Sequence, residues 1–438
     1  MGMLHGTTRR RHRGILSLGA LAMLVASSLV IAAPGPKAAA QSLSPESTCG
    51  TGGWRRLAGV GDASQIYALA ASGTRLYASG LAAGGGYATW STALNAGEGL
   101  KPIGGALAGR RVSALMVQDD DPNWLAWAAG FGDDGVFAAA PSSPLSFGQR
   151  GSLDAWPMQL MAARGQVFAA FARADAAGIY AWDGSAWTLA GGTEIPPVST
   201  GALAFWSSAR GNGRLWLGTE ARGLWSADEQ RAAEWTWVGD AELRASTVTA
   251  LAVDPLVPTR MAAGLGPSLD GRSTYLGLRR SSDGGQTWSA PAFAADPLRG
   301  PEYLAALSYS RVLSGTLVAA AYGHGLHVSR DGGQRWQRLL PPSDPQGGNA
   351  PAIHENYLSA LTTALPPDRP GCELLFAAGR GGVWVRDLAT LPSDGQIFLP
   401  WANQARSAGV PLSRENRALP AAPNGPTPMA PSLALPQP

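Results

Sequence analysis

The chain has 438 residues, and its 34 basic and 31 acidic residues give a formal charge of +3. Five of the basic residues lie in residues 1–40, which contain no acidic residue, so the remainder has 29 basic against 31 acidic residues. This near balance excludes a nucleic-acid-binding surface built from many cations. Charged residues are only 15% of the chain, whereas glycine (57), proline (33) and tryptophan (16) are abundant. Such a composition favours short buried strands joined by tight turns.

The N-terminal segment has the order of a secretory signal peptide. Residues 9–13 are mostly arginine, residues 15–33 form an uncharged apolar run, and residues 38–40 are alanines. A basic region, an apolar region and small residues at a cleavage site are the parts of such a signal. The pattern predicts export, with residues 1–40 removed by cleavage near Ala40 and residues 41–53 as a linker. The apolar run is long enough to span a bilayer, so an uncleaved anchor is the alternative.

Seven units of similar pattern follow the linker. Each opens with an apolar dipeptide, and the seven dipeptides are Ala68-Leu69, Ala114-Leu115, Leu160-Met161, Ala202-Leu203, Ala250-Leu251, Ala306-Leu307 and Ala360-Leu361. Two further apolar runs follow in each unit, and a fourth, often opened by tryptophan, ends most of them. The units recur every 42 to 56 residues. Four short strands at this period are typical of a propeller blade, so the sequence predicts an all-β, seven-bladed β-propeller over residues 54–401. A stacked solenoid is the alternative.

The two ends of the repeat region predict how the ring closes. Residues 54–57 resemble an outermost strand with no blade before it, and the seventh unit has three clear strands. We therefore expect the N-terminal strand to complete blade seven, with residues 397–401 as the alternative. This closure would bring Cys49 and Cys372, the only two cysteines, to one end of that blade. A disulfide there would stabilise the closure by roughly 2–4 kcal/mol, and two free thiols are the alternative.

Two turns between third and fourth strands carry a specific pattern. The first turn has Ser281, Asp283, Gly285, Thr287 and Trp288 at the positions of the motif S-x-D-x-G-x-T-W. The second turn departs from the motif at one position, and its residues are Ser329, Asp331, Gly333, Arg335 and Trp336. In such a turn the carboxylate can accept backbone N–H groups, glycine supplies a positive φ, and tryptophan anchors the hairpin between blades.

These turns resemble the Asp-box, or bacterial neuraminidase repeat, and residues 54–386 are similar to an Asp-box propeller. A third, decayed copy begins at Ser226. The superfamily includes sialidases, xyloglucanases, sortilin-type receptors and photosystem II assembly-factor propellers. The resemblance implies that Asp283 and Asp331 are structural turn residues and not catalytic ones. The chain lacks the Arg-Ile-Pro motif of sialidases, and the adjacent Glu302 and Tyr303 would point apart in a strand, unlike a catalytic pair.

Propellers usually bind ligands at the face formed by the second-to-third strand loops and the loops between blades, which we call the loop face. Its longest loops belong to blades five to seven, and long loops on a rigid scaffold often carry function. The sequence predicts ligand-binding candidates there, namely His324, His354, Glu355, Arg380, Glu302 and Tyr303. Ordinary turn or solvated residues are the alternative for the histidines. Other charged residues of the loop face are Arg110, Arg111, Asp134 and Arg222.

The sequence leads to a hypothesis of an exported, monomeric propeller that serves as a binding or assembly scaffold for a protein or a glycan. A sialidase-like glycoside hydrolase and a photosystem-assembly-factor-like propeller are the alternatives. We expect no cofactor and no metal, because residues 119–121 lack the spacing of a calcium loop and His324 and His327 have no third ligand nearby. Residues 402–438 are rich in proline and alanine and are predicted to form a disordered or polyproline tail.

Overall fold

The computed structural model has an all-β architecture with almost no helix. It describes residues 54–61, 64–95, 98–118, 126–131, 134–151, 153, 156–172, 177–195, 205–230, 232–266, 277–290, 304–321, 325–339 and 358–390. The helices in these ranges are α1 (Ala241–Arg244) and two short 3-10 helices, Gly105–Leu107 and Leu388–Thr390. In the described part of the chain, no helix has the length and apolar character needed to cross a membrane. The chain divides into two units, Met1–Ser44 and Pro45–Pro438, and all described residues belong to the second.

Seven antiparallel sheets form the blades of a β-propeller, as the sequence predicts. The strands of blades one to four are β2 (Gln65–Ala71), β3 (Arg75–Leu81), β4 (Tyr87–Ala93), β5 (Lys101–Pro102), β6 (Val112–Val117), β7 (Ala126–Gly130), β8 (Val136–Ala139), β9 (Gly148–Gln149), β10 (Pro157–Ala163), β11 (Gln166–Phe171), β12 (Gly178–Trp182), β13 (Trp187–Gly191), β14 (Phe205–Gly211), β15 (Arg214–Thr219), β16 (Leu224–Asp228) and β17 (Thr236–Val238).

The remaining strands build blades five to seven. They are β18 (Thr247–Val253), β19 (Met261–Gly266), β20 (Gly277–Ser281), β21 (Leu304–Tyr309), β22 (Leu317–Ala321), β23 (Gly325–Ser329), β24 (Gln337–Leu339), β25 (Leu358–Ala364), β26 (Leu374–Gly379), β27 (Gly382–Asp387) and β1 (Arg55–Arg56). Blade five has three strands in the described ranges. The chain after β20 continues along it, because the Ser289 amide donates to the Arg280 carbonyl at 2.8 Å.

Burial along the strands explains their sequences. The innermost strand β2 alternates between half-buried and buried residues, because successive side chains point to opposite faces of a sheet. Second strands such as β19 and β26 are buried at every residue, since neighbouring blades cover both of their faces. Alanine is therefore frequent there and allows the sheets to approach closely. Large side chains such as Trp127 and Trp216 fill the wider gaps between blades and are 0% and 1% exposed.

The ring closes through the N-terminal strand. Strand β1 pairs with β27, with Arg55 opposite Val385 and Arg56 opposite Trp384. This pairing confirms the predicted closure and gives blade seven the strand order β1-β27-β26-β25. Cys372 is 1% exposed in the turn before β26, and no cysteine in the described ranges is free. Cys49 lies outside those ranges, so its disulfide with Cys372 stays a prediction, as do the exact limits of the domains.

Every innermost strand carries a β-bulge near the end that faces the loops. The bulged residues are Tyr67, Ser113, Met158, Trp206, Thr249, Ala305 and Ser359. Where the residue is Ser or Thr, its hydroxyl reaches the next blade. Ser113 donates to the Pro157 carbonyl at 2.9 Å, and Thr249 donates to the Leu304 carbonyl at 2.7 Å. In blade one the bulged residue is Tyr67, whose ring centroid lies 6.0 Å from the guanidinium carbon of Arg111 of blade two.

Candidate functional site

The structure places one of the six predicted ligand-binding candidates. Arg380 is exposed in the turn between β26 and β27, on the loop face. The turn lies beside blade one, since Arg380 forms a backbone bridge with Gln65 and the Gly381 amide donates to the Ser64 carbonyl at 2.8 Å. The other five candidates lie outside the described residues and stay predictions, namely His324, His354, Glu355, Glu302 and Tyr303.

A different set of residues meets on the loop face of blades one to three. We call Tyr67, Tyr87, Arg111, Phe131 and Trp156 the Arg111 cluster. Tyr67 is the bulged residue of β2, and Tyr87 is the first residue of β4. Arg111 directly precedes β6, Phe131 follows β7, and Trp156 precedes β10. In an antiparallel meander the start of the first strand, the end of the second and the start of the third lie at one edge. The topology therefore brings all five side chains to the same face.

The guanidinium of Arg111 is surrounded by aromatic rings. Its carbon lies 4.1 Å from the centroid of Phe131, 5.9 Å from that of Tyr87 and 6.0 Å from that of Tyr67. Phe131 stacks in turn on Trp156, with centroids 6.5 Å apart and planes 25° apart. The backbone holds this arrangement because the Phe131 amide donates to the Arg111 carbonyl at 2.7 Å. All five residues are half-buried, so the Arg111 cluster is partly exposed to solvent.

The positive charge of the Arg111 cluster is not neutralised in the described part of the chain. Its neighbour Arg110 forms an ion pair with Asp134 and lies 5.4 Å from the centroid of Phe137. For Arg111, by contrast, the described residues supply ring faces and no carboxylate or hydrogen-bond acceptor. A stacked guanidinium keeps its N–H groups in the plane of the ion, where they can bind a ligand oxygen.

Two tyrosine hydroxyls add neutral donors to the Arg111 cluster. Burial raises the pKa of Tyr67 above its ordinary value, and the nearby Tyr87 raises it further, while the charge of Arg111 opposes the rise. The hydroxyl of Tyr67 therefore stays protonated at neutral pH. Beside Tyr87, residues 83–86 are exposed, and a Cβ atom on Gly84, Gly85 or Gly86 would meet nothing within 4 Å. This open space leaves room for a ligand above the rings.

Elsewhere on the loop face, the polar groups of blades four and five satisfy one another. The guanidinium of Arg279 donates to the two carboxylate oxygens of Asp240 at 2.7 and 2.6 Å. Asp240 also caps α1 by accepting the Leu243 amide at 2.9 Å. The ion pair with Arg279 is the main reason that the pKa of Asp240 is lowered. This network fixes the loop between blades and offers no unpaired group to a ligand.

The opposite face, which we call the turn face, carries the two motif turns. In the Ser281 turn (281–288), the Ser281 hydroxyl donates to Asp283 at 2.8 Å and accepts the Gly285 amide at 2.8 Å. Asp283 accepts the Thr287 amide at 2.9 Å, and the Trp288 indole donates to the Gly285 carbonyl at 3.1 Å. Hydrogen bonds from the Thr287 hydroxyl and amide, followed by that from Ser281, lower the pKa of Asp283 to about 2.

The Ser329 turn (329–336) repeats this network. The Ser329 hydroxyl donates to Asp331 at 2.8 Å and accepts the Gly333 amide at 2.7 Å. Asp331 accepts the amide of Arg335, and the Trp336 indole donates to the Gly333 carbonyl at 3.0 Å. In both turns the carboxylate is occupied by its own turn. Their assignment to the Asp-box superfamily remains a resemblance.

Concave regions also occur near the turn face. One cavity of about 360 Å³ lies along β6, β10 and β14 and is lined by Met116, Leu160 and Arg210, among others. Its cation is already paired, because Arg210 donates to Glu229 at 3.1 Å. A second cavity of similar volume lies at the closing blade, beside Trp54 and Arg386. The Arg111 cluster, where three aromatic rings surround one guanidinium, is our candidate for a ligand site.

The sequence reasoning missed four members of the Arg111 cluster. The sequence places Arg111 on the loop face, but it does not single out the four aromatic residues. The sequence does contain a signal for the Arg111 cluster. Tyr87, Phe131 and Trp156 each lie within one residue of a strand end on the loop face. The bulge at Tyr67 leaves no mark in the sequence.

The fold and the site define a seven-bladed β-propeller with an arginine–aromatic surface on its loop face. No protein-family model and no curated protein matches the chain. Among solved structures, the extracellular domain of BT4673 from B. thetaiotaomicron is similar at 12% identity, with a TM-score of 0.53 over 76% of this chain and 40% of that chain. YCF48 from Cyanidioschyzon merolae is similar at 14% identity, with a TM-score of 0.50 over 76% of this chain and 98% of that chain.

A structure of YCF48 bound to D1 peptide is also similar, at 14% identity, with a TM-score of 0.51 over 77% of this chain and 95% of that chain. The chain spans about two-fifths of the length of the BT4673 domain. At these identities the likeness shows the fold alone, and function is argued from the site.

Proposed function

We propose that this chain is an extracytoplasmic binding scaffold that holds a protein or glycan ligand at the Arg111 cluster. The observation that carries the proposal is the guanidinium of Arg111, stacked 4.1 Å from the Phe131 centroid with no acceptor in the described residues. An arginine packed among half-buried tyrosine, phenylalanine and tryptophan rings contains the residue types that are enriched in binding hot spots.

The export of the chain is part of this proposal. The N-terminal segment has the pattern of a signal peptide. Propellers of similar fold occur in the extracellular domain of BT4673, and YCF48 has been captured with a peptide. These similarities agree with an exported scaffold. A glycoside hydrolase on the same fold is the alternative, and it requires two converging carboxylates near a sugar ring.

A binding screen of the full chain tests the proposal. We expect hits on a combined glycan and peptide array, and the Arg111→Ala variant should weaken them at least about tenfold, as the loss of a hot-spot side chain would. Arg214→Ala is the matched control, because Arg214 lies 5.9 Å from the Trp216 ring centroid but at the start of β15 in blade four, where its guanidinium donates to Ser226 of β16. Binding unaffected by Arg111→Ala, or lost equally in the control, would contradict the proposal. Turnover in a fluorogenic glycoside panel would favour the hydrolase.

A further inference from the structure

We propose that the turn face of blades five and six binds the surface of an anionic lipid membrane. The contact residues are Leu256, Arg311, Val312, Arg330 and Arg335, which we call the turn-face patch. The inference goes beyond the proposed scaffold function, because it assigns a second surface, on the face opposite the Arg111 cluster, to a different class of partner. It rests on the exposure of these residues, on the contacts that join their turns, and on the burial of the neighbouring carboxylates.

Two equivalent turns expose an apolar side chain. The turn after β18 exposes Leu256, and the turn after β21 exposes Val312, with 45% and 38% of their surfaces open to solvent. The amide of Leu256 donates to Asp254 at 2.9 Å, and the amide of Val312 donates to the Ser310 hydroxyl at 3.2 Å. Asp254 and Ser310 directly follow their strands, so Leu256 and Val312 occupy corresponding positions on adjacent blades.

Three exposed arginines lie in the turns of blade six. Arg311 directly precedes Val312, and Arg330 and Arg335 belong to the Ser329 turn. Arg335 stands where the motif has threonine, and its backbone amide still donates to Asp331 at 2.9 Å. The hydrogen bond within the turn therefore uses the backbone of Arg335, and its exposed side chain can meet a partner.

Contacts between the turns make the patch continuous. In blade six the turn of Val312 meets the Ser329 turn, because the Gly332 amide donates to the Gly315 carbonyl at 2.8 Å. Arg260, which follows Leu256 in the same turn, reaches blade six. Its Nη1 and Cδ atoms lie 3.1 Å from the positions that Cβ atoms on Gly315 and Gly332, respectively, would take. The exposed side chains of both blades therefore belong to one surface.

The carboxylates beside the patch are buried or occupied. Asp254 and Glu373 are 0% exposed, and each accepts a hydrogen bond from a turn amide. Asp283 and Asp331 are half-buried and accept hydrogen bonds from their own turns. The described turn-face residues of blades five and six include no exposed carboxylate. The charge that this surface presents to solvent is therefore positive.

A lipid surface fits the patch better than a protein does. Binding to a bilayer interface depends on inserted apolar side chains and on the attraction between cations and anionic lipids, and the patch supplies both. Leu256 and Val312 lie on separate turns, which a fluid bilayer accepts without a matching pocket, whereas a protein hot spot requires a well-packed centre. The turns of blades three and four expose Asp183, Asp228 and Glu234 instead. An anionic surface would therefore approach the turn face at blades five and six.

Hydrogen exchange of the full chain, measured with and without vesicles, tests the inference. The anionic vesicles contain phosphatidylglycerol and phosphatidylcholine, and the neutral vesicles contain phosphatidylcholine alone. We expect the anionic vesicles to slow the exchange of amides in residues 256–259 and 311–316 and to leave residues 183–186 unchanged. Neutral vesicles should protect none of these amides. The measurement is local, so lipid binding elsewhere in the chain does not produce the same result.

The variant R311Q/R335Q tests the contribution of charge. Each arginine near an anionic surface strengthens binding about fivefold, so the lipid concentration that gives half of the protection should rise about twentyfold. The matched control is R244Q/R380Q, which removes the same charge from exposed residues of the loop face. It should change that concentration by less than about twofold, because charges farther from the membrane than a Debye length are screened.

The variant L256S/V312S tests the apolar contribution. An inserted side chain contributes through the methylene groups that it buries, so the same lipid concentration should rise about tenfold. The matched control is L145S/L189S, which alters the other two large apolar side chains that are exposed in the described residues. These lie in blades two and three, and the control should leave the concentration unchanged. No change in L256S/V312S would overturn the assignment of these residues to the contact.

Other results would also overturn the inference. Equal protection by neutral and anionic vesicles would remove the role of charge. Protection by a polyglutamate peptide but not by vesicles would assign the patch to an acidic protein. Protection that rises with protein concentration in the absence of lipid would assign it to a second copy of the chain. An Arg111-dependent hit on the array without vesicle protection would reject this inference and leave the scaffold function standing, so the two failures are distinguishable.

Discussion

On the turn face, Asp283 and Asp331 accept hydrogen bonds from amides and hydroxyls of their own turns, whereas on the loop face Arg111 rests on Phe131 with no acceptor in the described residues. Both surfaces are made of strand connections on the same rigid ring. The comparison indicates that polar groups paired within a turn stabilise the blade. A guanidinium that contacts only aromatic rings in the described residues can instead bind a ligand. Substitutions that disturb these turns should therefore change stability, and substitutions on the loop face should change binding.

The largest effect is expected from Gly285→Ala on the turn face. Gly285 has φ +87°, and a Cβ atom there would lie 2.5 Å from the Trp216 ring of the neighbouring blade. Left-handed strain and overpacking together should lower the free energy of unfolding by about 2–4 kcal/mol. Gly213→Ala is the control, because Gly213 has φ +70° but open space around it. Urea unfolding of both variants would separate the two contributions, and equal losses would contradict the packing argument.

Ser329→Ala should have the next largest effect. The buried hydroxyl of Ser329 accepts the Gly333 amide and donates to Asp331. Its removal leaves a buried amide without a partner and should cost about 1–3 kcal/mol of unfolding free energy. Ser185→Ala removes a similar bond to Asp183 in an exposed turn and should change stability by less than about 0.5 kcal/mol. Thermal unfolding would compare the stability lost in the two variants. Equal losses would contradict the expectation that removing the buried hydroxyl is more destabilising than removing the exposed one.

Ala232→Gly should stabilise the protein slightly. Ala232 has φ +48°, and its carbonyl accepts the Trp235 indole at 2.9 Å, as the carbonyls of Gly285 and Gly333 accept theirs. Glycine relieves the left-handed strain, so we expect a gain of about 0.5–1 kcal/mol. Ala227→Gly, in the extended strand β16, should lose a similar amount. A loss in both variants would show that Ala232 is not strained.

Acid should weaken the Ser281 turn in a defined pH range. The pKa of Asp283 is lowered from 3.8 to about 2 in the folded chain, so its ionised form favours folding. This contribution is complete above about pH 4 and is lost as the pH falls towards 2. The Asp283→Asn variant should therefore show a flatter dependence of unfolding free energy on pH between 4 and 2 in urea titrations. An unchanged slope would contradict the hydrogen-bond account.

A small effect on stability, but a large effect on binding, is expected from Arg111→Ala. Loss of exposed cation–π contacts should change the unfolding free energy by about 0.5–1 kcal/mol, although ligand binding falls at least about tenfold. Chemical unfolding and array binding measured on the same preparation would test the contrast. A stability loss as large as that of Gly285→Ala would mean that Arg111 belongs to the scaffold and not to a binding surface.

Much of the fold could be predicted because it depends on local patterns. The Ala-Leu steps locate the innermost strands, and six of the seven lie inside strands at described positions. The closing strand at Arg55–Arg56 followed from counting strands. The candidate site was predicted less well, because Tyr67 and Arg111 are 44 residues apart and meet only when adjacent blades pack. Five of the six sequence candidates lie outside the described residues and await a test.

The sequence by itself determined the number of blades, the end at which the ring closes and the chemistry of the motif turns, because each follows from the number, order and spacing of the repeats along the chain. Only the tertiary structure decided that Arg111 is stacked on Phe131 while the adjacent Arg110 is paired with Asp134. Two neighbouring arginines are equivalent in a sequence. Their difference arises from their surroundings in the folded chain, where Arg110 meets the carboxylate of Asp134 and Arg111 meets aromatic rings of blades one and two.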